Sequence, residues 1–267
     1  MKSKIYHQQI FCTLLVFAML LLSCKKVINI DFKDAGSLLV IEGSVTNQGN
    51  TQTVKLSKSV AVTDPNNFPA VSGATVTIAS SDGKTYKLLE QTAGTYITNT
   101  LKGQPTKTYQ LTVVTGNKTY TAISTMPNPV KLDSIGLNLV SVLNKDYIYP
   151  EVYYQDPAGI ANYYHFTLAV NNVKSNNIFV YNDDLTDGRK VSHQLRDNDL
   201  ELVSGKLISI EMQCIDKNIY NYWNGLDQNQ NRGGASTTPA NPPSNISNGA
   251  LGNFSAYTVQ QSFFVVP

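Results

Sequence analysis

The sequence predicts a mainly all-β protein, a first β-sandwich followed by a second β-sandwich-like domain with one inserted α-helix. Three observations carry this. Short runs rich in Val, Thr and Tyr recur along the chain, alternating apolar and polar residues and parted by turn residues every few positions. The two prolines of "MPNPV" (126–130) interrupt the series once, as a domain boundary would. One segment alone, near 216–230, changes to helical spacing.

In chain order, residues 1–23 read as an export signal. Lys2 and Lys4 make a basic start, and no acidic residue precedes Asp31. From Ile10 to Leu22 the chain is almost wholly apolar, too short for a comfortable span of about 20 residues. Ser23 puts a small residue before Cys24. Leu21-Leu22-Ser23-Cys24 resembles the lipobox of bacterial lipoproteins, although Leu22 is bulkier than usual there. The resemblance implies cleavage before Cys24 and acylation of it, and two or three acyl chains anchor a protein stably. Cys24 is thus expected to be an attachment point, with 24–36 as a lipidated tether.

The first sandwich is placed at 37–128. Its expected strands are "LLVIEGSVT" (38–46), "QTVKLSKSV" (52–60), "GATVTIAS" (73–80), "KTYKLLE" (84–90), "GTYITN" (94–99), "KTYQLTVVT" (107–115) and "KTYTAIST" (118–125). Gly116-Asn117 is a two-residue hairpin signal between the last two. Ala74, Val76 and Ile78 point to one face, Thr75 and Thr77 to the other.

The second domain is placed at 129–267. Runs at 131–142, 147–155, 161–171, 177–182, 189–196 and 206–215 read as strands. Ile215, Ile219, Tyr222, Trp223 and Leu226 then recur at helical spacing. Residues 231–249 read as a flexible loop by composition, and "GNFSAYTVQQSFFVVP" as a closing strand pair or hairpin.

Charge and motifs exclude several functions. Cleavage removes Lys2 and Lys4, so the precursor's net charge of +2 falls to zero. A neutral chain without a basic run is a poor match for nucleic acid. With Cys12 lost and Cys24 acylated, Cys214 is the remaining thiol; it shares a strand face with Ile208, Ile210 and Met212 and is expected to be buried and inert. No G-x-S-x-G occurs. His165 lies opposite the Tyr164, Phe166 and Leu168 face and reads as solvated, while His193 reads as a packed histidine; a hydrolase built on either is the remotest reading. Leu185 and Gln194 spoil "DDLTDG" as a calcium loop, which leaves a turn of solvated acids. No metal, cofactor or catalytic residue is expected.

Aromatics are the remaining signal. Most tyrosines lie in the second half, with Trp223 among them. Exposed aromatic platforms bind sugars and extended peptides, so Tyr222 and Trp223 are ligand-binding candidates if the helix leaves them exposed; packing in the core is the alternative. Asp133-Ser134-Ile135 resembles the three-residue O-glycosylation acceptor of exported Bacteroidota proteins, with Ser134 as acceptor.

The order of "SCKK", "LLVIEGSVTN", "QTVKLSKS", "VSGATVTIASSDGKTYKL", "TYQLTVVTGNKTYTAISTMPNPVKLDSI" and "NPPSNISNGALGNFSAY" resembles the domain-of-unknown-function 4249 family of Bacteroidota lipoproteins. The G-x-V-T…V-x-G-A-x-V-x-I…G-x-Y arrangement is similar to immunoglobulin- or transthyretin-like accessory domains. The family resemblance implies an outer-membrane lipoprotein, often encoded beside a TonB-dependent receptor, and supplies no catalytic residues. Lys25 and Lys26 stand where an acidic run often directs such proteins outward, so the membrane face is left open. The expected function is a non-enzymatic accessory that captures a glycan or peptide ligand for such a receptor. A surface adhesion or structural protein is the alternative.

Overall fold

A computed structural model describes residues 37–61, 64–65, 67–143, 145–231 and 241–267. Cys24 and the expected signal and tether lie outside the described residues. The strands are β1 (Leu39–Thr46), β2 (Gln52–Lys58), β3 (Thr75–Ser80), β4 (Thr85–Thr92), β5 (Thr95–Thr98), β6 (Thr108–Thr115), β7 (Lys118–Thr125) and β8 (Leu132–Val142). There follow β9 (Lys145–Gln155), β10 (Tyr163–Val170), β11 (Val173–Lys174), β12 (Phe179–Asn182), β13 (Lys190–Gln194) and β14 (Leu207–Ile215). Helix α1 (Lys217–Asn231) and β15 (Leu251–Val265) end the chain. Among the described residues the architecture is mainly β with one helix, as expected.

One sheet runs β11-β10-β14-β15-β1-β2-β5-β4-β3-β6-β7, with β12 also on β10; a smaller sheet runs β13-β9-β8. The long sheet must fold over itself, because Ile41, Val54 and Tyr96 from its middle share one core with Ile78, Leu111 and Val113 from its end. A register shift between Glu90 and Thr92, where β4 meets β5, marks that bend. A second core packs Tyr164, Phe166 and Met212 of the long sheet against Val152, Tyr154 and Val191 of the small one. Each fully buried side chain of this size contributes roughly 1.5–3 kcal/mol.

The chain passes from the first core to the second between Met126 and Val130, at the two prolines. It also returns. Ile246, Ala250, Phe254 and Ala256 belong to the first core and Val266 to the second. The described residues form one compact unit.

The closing segment is one continuous strand rather than the expected strand pair or hairpin. Its first part pairs in parallel with β1, from Leu251↔Val40 to Tyr257↔Thr46. Its second part pairs antiparallel with β14, from Thr258↔Cys214 to Val265↔Leu207. Gly252 permits this entry. Its φ is +90°, and a Cβ there would fall 2.1 Å from the Ile41 carbonyl oxygen. Residues 241–249 are also more tightly held than the loop reading allowed: Ile246 is buried, Ser247 N–H donates to Thr121 O, and the Asn245 side chain pairs with both backbone groups of Phe254. Residues 232–240 of that loop lie outside the described residues.

Candidate functional site

Strand alternation gives the long sheet two faces. On the strands β2, β1, β15, β14 and β10, one set of residues enters the two cores: Val54, Ile41, Phe254, Met212 and Phe166. The intervening residues point to the opposite side, and there they are polar: Thr53 and Lys55, Glu42 and Ser44, Asn253 and Ser255, Gln213, His165 and Thr167. Helix α1 lies over part of this face and adds Tyr222 and Trp223. The resulting cleft has a volume of about 410 Å³.

Local structure fixes the helix over the sheet. Asp216 is its N-cap: Oδ1 accepts the N–H groups of Asn218 and Ile219 at 2.9 and 3.1 Å. Its Oδ2 accepts the Ser124 hydroxyl and the Thr125 N–H, tying the cap to β7. Ile219 is fully buried, and Tyr220 packs on Tyr163 with ring centroids 5.1 Å apart. Trp223 stacks on His165 at 4.4 Å and 9°, and Tyr222 meets the indole edge-on at 5.6 Å.

His165 is therefore not solvated, as the alternation alone suggested; it is 6 % exposed. A strand pattern shows which face a residue takes but not what covers that face, and here a helix does. Burial lowers the imidazole to about 4, so it is neutral at pH 7. Gln213, its cross-strand neighbour, donates its amide to Glu211 at 2.5 Å and offers Oε1 to His165 Nδ1 at 2.9 Å. That chain makes Nδ1 the protonated nitrogen and Nε2 an acceptor.

The two ligand candidates from sequence come together here. Both are half-buried, and both line the cleft. Trp223 has a second role, covering His165. Burial raises the Tyr222 hydroxyl, and Asn253 lies beside it. Tyr257 is pushed up to about 12 by burial and the charge of Glu211. Ser255, which the sequence did not single out, is 6 % exposed and its hydroxyl has no hydrogen-bond partner among the described residues. Its only sequence signal is that it alternates with buried Phe254 and Ala256. Glu42 and Lys55 stand opposite each other across β1 and β2, both exposed and not in ion-pair contact.

The other candidates lie elsewhere. Ser134 is exposed on β8. His193 stacks on Tyr181 at 3.7 Å and is lowered to about 4 by burial. Cys214 is free and buried, and burial raises its thiol. The acids of "DDLTDG" are not all solvated: Asp183 is buried, and with buried Asp156 and exposed Asp187 it brings carboxylate oxygens within 4.8 Å of one another. Backbone donors take up these acids. Asp156 accepts Gly188 N–H and the Tyr164 hydroxyl, Asp183 accepts Asn162 N–H, and Asp187 accepts Gly159 N–H, which pins two turns together.

A family model described as "Domain of unknown function (DUF4249)" matches residues 25–262. The chain belongs to that family. No curated protein matches. Among solved structures, a two-domain fibronectin type-III segment of chicken tenascin is 13% identical, with a TM-score of 0.23, covering 67% of this chain and 91% of its own. The chicken interferon gamma receptor alpha chain is 9% identical, with a TM-score of 0.21, covering 87% of this chain and 98% of its own. Superpositions this loose carry no functional information.

Proposed function

We propose that this DUF4249 member is a lipid-anchored, non-enzymatic protein of the outer membrane that captures a ligand for a TonB-dependent receptor. The observation that carries the reading is the cleft: a row of polar side chains on a sheet face, walled by Tyr222 and Trp223. Concave sites that join aromatic surface to a few convergent polar groups are typical of ligand capture. The lipobox at Cys24 supports the anchor. His165 and His193 both serve packing, stacked on Trp223 and Tyr181, which supports a binding role over a hydrolytic one.

The test is a mild-detergent pull-down of the native protein with mass spectrometry of its partners, using Cys24→Ala as the unanchored control. A stoichiometric TonB-dependent receptor is the expected result; recovery of the protein alone counts against the accessory role. Surface adhesion is the second reading, favoured by the exposed apolar side chains Leu139, Leu143 and Ile148 on the β8–β9 hairpin. Attachment to a surface without a co-purifying receptor would support it.

A further inference from the structure

We infer that the ligand of the cleft is a short, uncharged saccharide, an assignment that rests on the cleft being the capture site. The first ground is the chemistry of the floor. The Gln213 amide is taken up by Glu211 and His165, while Ser44, Thr53 and Thr167 bring hydroxyls to the lining and Asn253 an amide. These groups both donate and accept, as sugar hydroxyls do. Glu42 and Lys55 contribute one charge of each sign side by side, and Glu211 lies behind Gln213 and Tyr257, so the floor has no positive excess with which to select a phosphate or a carboxylate.

The second ground is Ser255. Buried hydroxyls in proteins are nearly always hydrogen-bonded. This one has no partner among the described residues; its oxygen lies just under the surface of a residue that lines the cleft, and a ligand hydroxyl reaching it would satisfy it. The third ground is the aromatic wall of Tyr222, Trp223 and Tyr257, which suits the apolar C–H face of a pyranose.

An extended peptide fits less well. Peptides in extended form bind chiefly by adding a strand to an open sheet edge. The floor strands β2, β1, β15, β14 and β10 are paired on both sides, so the cleft offers no free ladder of N–H and C=O groups. Recognition there must come from side chains, which is the saccharide case.

The test uses the full chain in a detergent without a sugar headgroup, applied to an array of immobilised mono- to tetrasaccharides. Glycans retained on the array are titrated against the chain while its single tryptophan, Trp223, reports from the cleft wall. A saturable change in emission is expected, with affinity reduced about tenfold by Ser255→Ala and similarly by Asn253→Ala, and melting temperatures unchanged. Retention of no glycan overturns the assignment. So does a glycan whose affinity neither substitution alters, or a saturable response to trialanine in place of sugars. A receptor recovered in the pull-down without any glycan bound overturns the saccharide and leaves the capture reading intact. Glycan binding without a receptor supports the saccharide and removes the receptor.

Discussion

Acidification tests the placement of His165 under α1. In the native protein burial holds the imidazole neutral, lowered from its ordinary 6.5 to about 4. The unfolded chain has no such burial and takes up the proton near 6.5. Between those values the unfolded state binds more protons, so stability falls as pH drops through 6.5 and levels off below about 4. At roughly 1.4 kcal/mol per pH unit the full loss is about 3 kcal/mol, of which about 2 kcal/mol falls between pH 7 and pH 5. His193 adds a smaller loss of the same sign, being less enclosed. Asp82 and Glu90, both held near 2 chiefly by hydrogen bonds, lose their contributions only at lower pH. Urea unfolding at pH 7 and pH 5, followed by far-ultraviolet circular dichroism, should therefore show the wild-type midpoint falling. The His165→Gln variant cannot take up this proton. It should begin less stable, having lost the Trp223 stack, yet lose about 2 kcal/mol less on acidification. Equal losses in the two proteins would refute the burial argument, because the slope would then belong to other groups.

Three further substitutions probe the frame around the cleft, each read from urea midpoints at constant m-value. Gly252→Ala forces a Cβ onto the Ile41 carbonyl at positive φ and should cost about 3 kcal/mol, with loss of protection at the β1 amides in hydrogen exchange. Asp216→Ala removes the α1 cap and the ties to Ser124 and Thr125; about 2 kcal/mol is expected, with fraying of the helix. Tyr164→Phe deletes the hydroxyl donated to buried Asp156 and should cost about 2 kcal/mol, without disturbing the Trp223 emission.

How far sequence reasoning reached can be judged strand by strand. The runs at 73–80, 107–115 and 118–125 became β3, β6 and β7, since a period of two with one apolar face needs only local information. The helical spacing after Cys214 located α1 for the same reason. Pairing partners were not legible. Nothing in "LGNFSAYTV" says that it lies parallel to β1, more than 200 positions away in the chain, because parallel pairing leaves no turn signal between its strands. Tyr222 and Trp223 stood out as aromatics on a helix, but the site they help to form was hidden, since its floor is assembled from five strands scattered across the sequence.

That dependence explains why the cleft lies where it does. A sheet face left without a core normally meets water, and its residues are free to be polar. Here β15 joins two cores by pairing with β1 along its first part and β14 along its second, which merges two such faces into one. Ser255 opposite Ser44 and Asn253 opposite Glu42 are consequences of that register. Shifting β15 by one residue would turn Phe254 and Ala256 out of the first core and Ser255 into it. The apolar requirement of the core therefore sets the position of each polar group on the other side. A protein that lost the β1–β15 register would lose the cleft and the first core together, so the Gly252→Ala variant should lose its ligand response in parallel with its stability. Ser255→Ala, which touches only the cleft face, should separate the two.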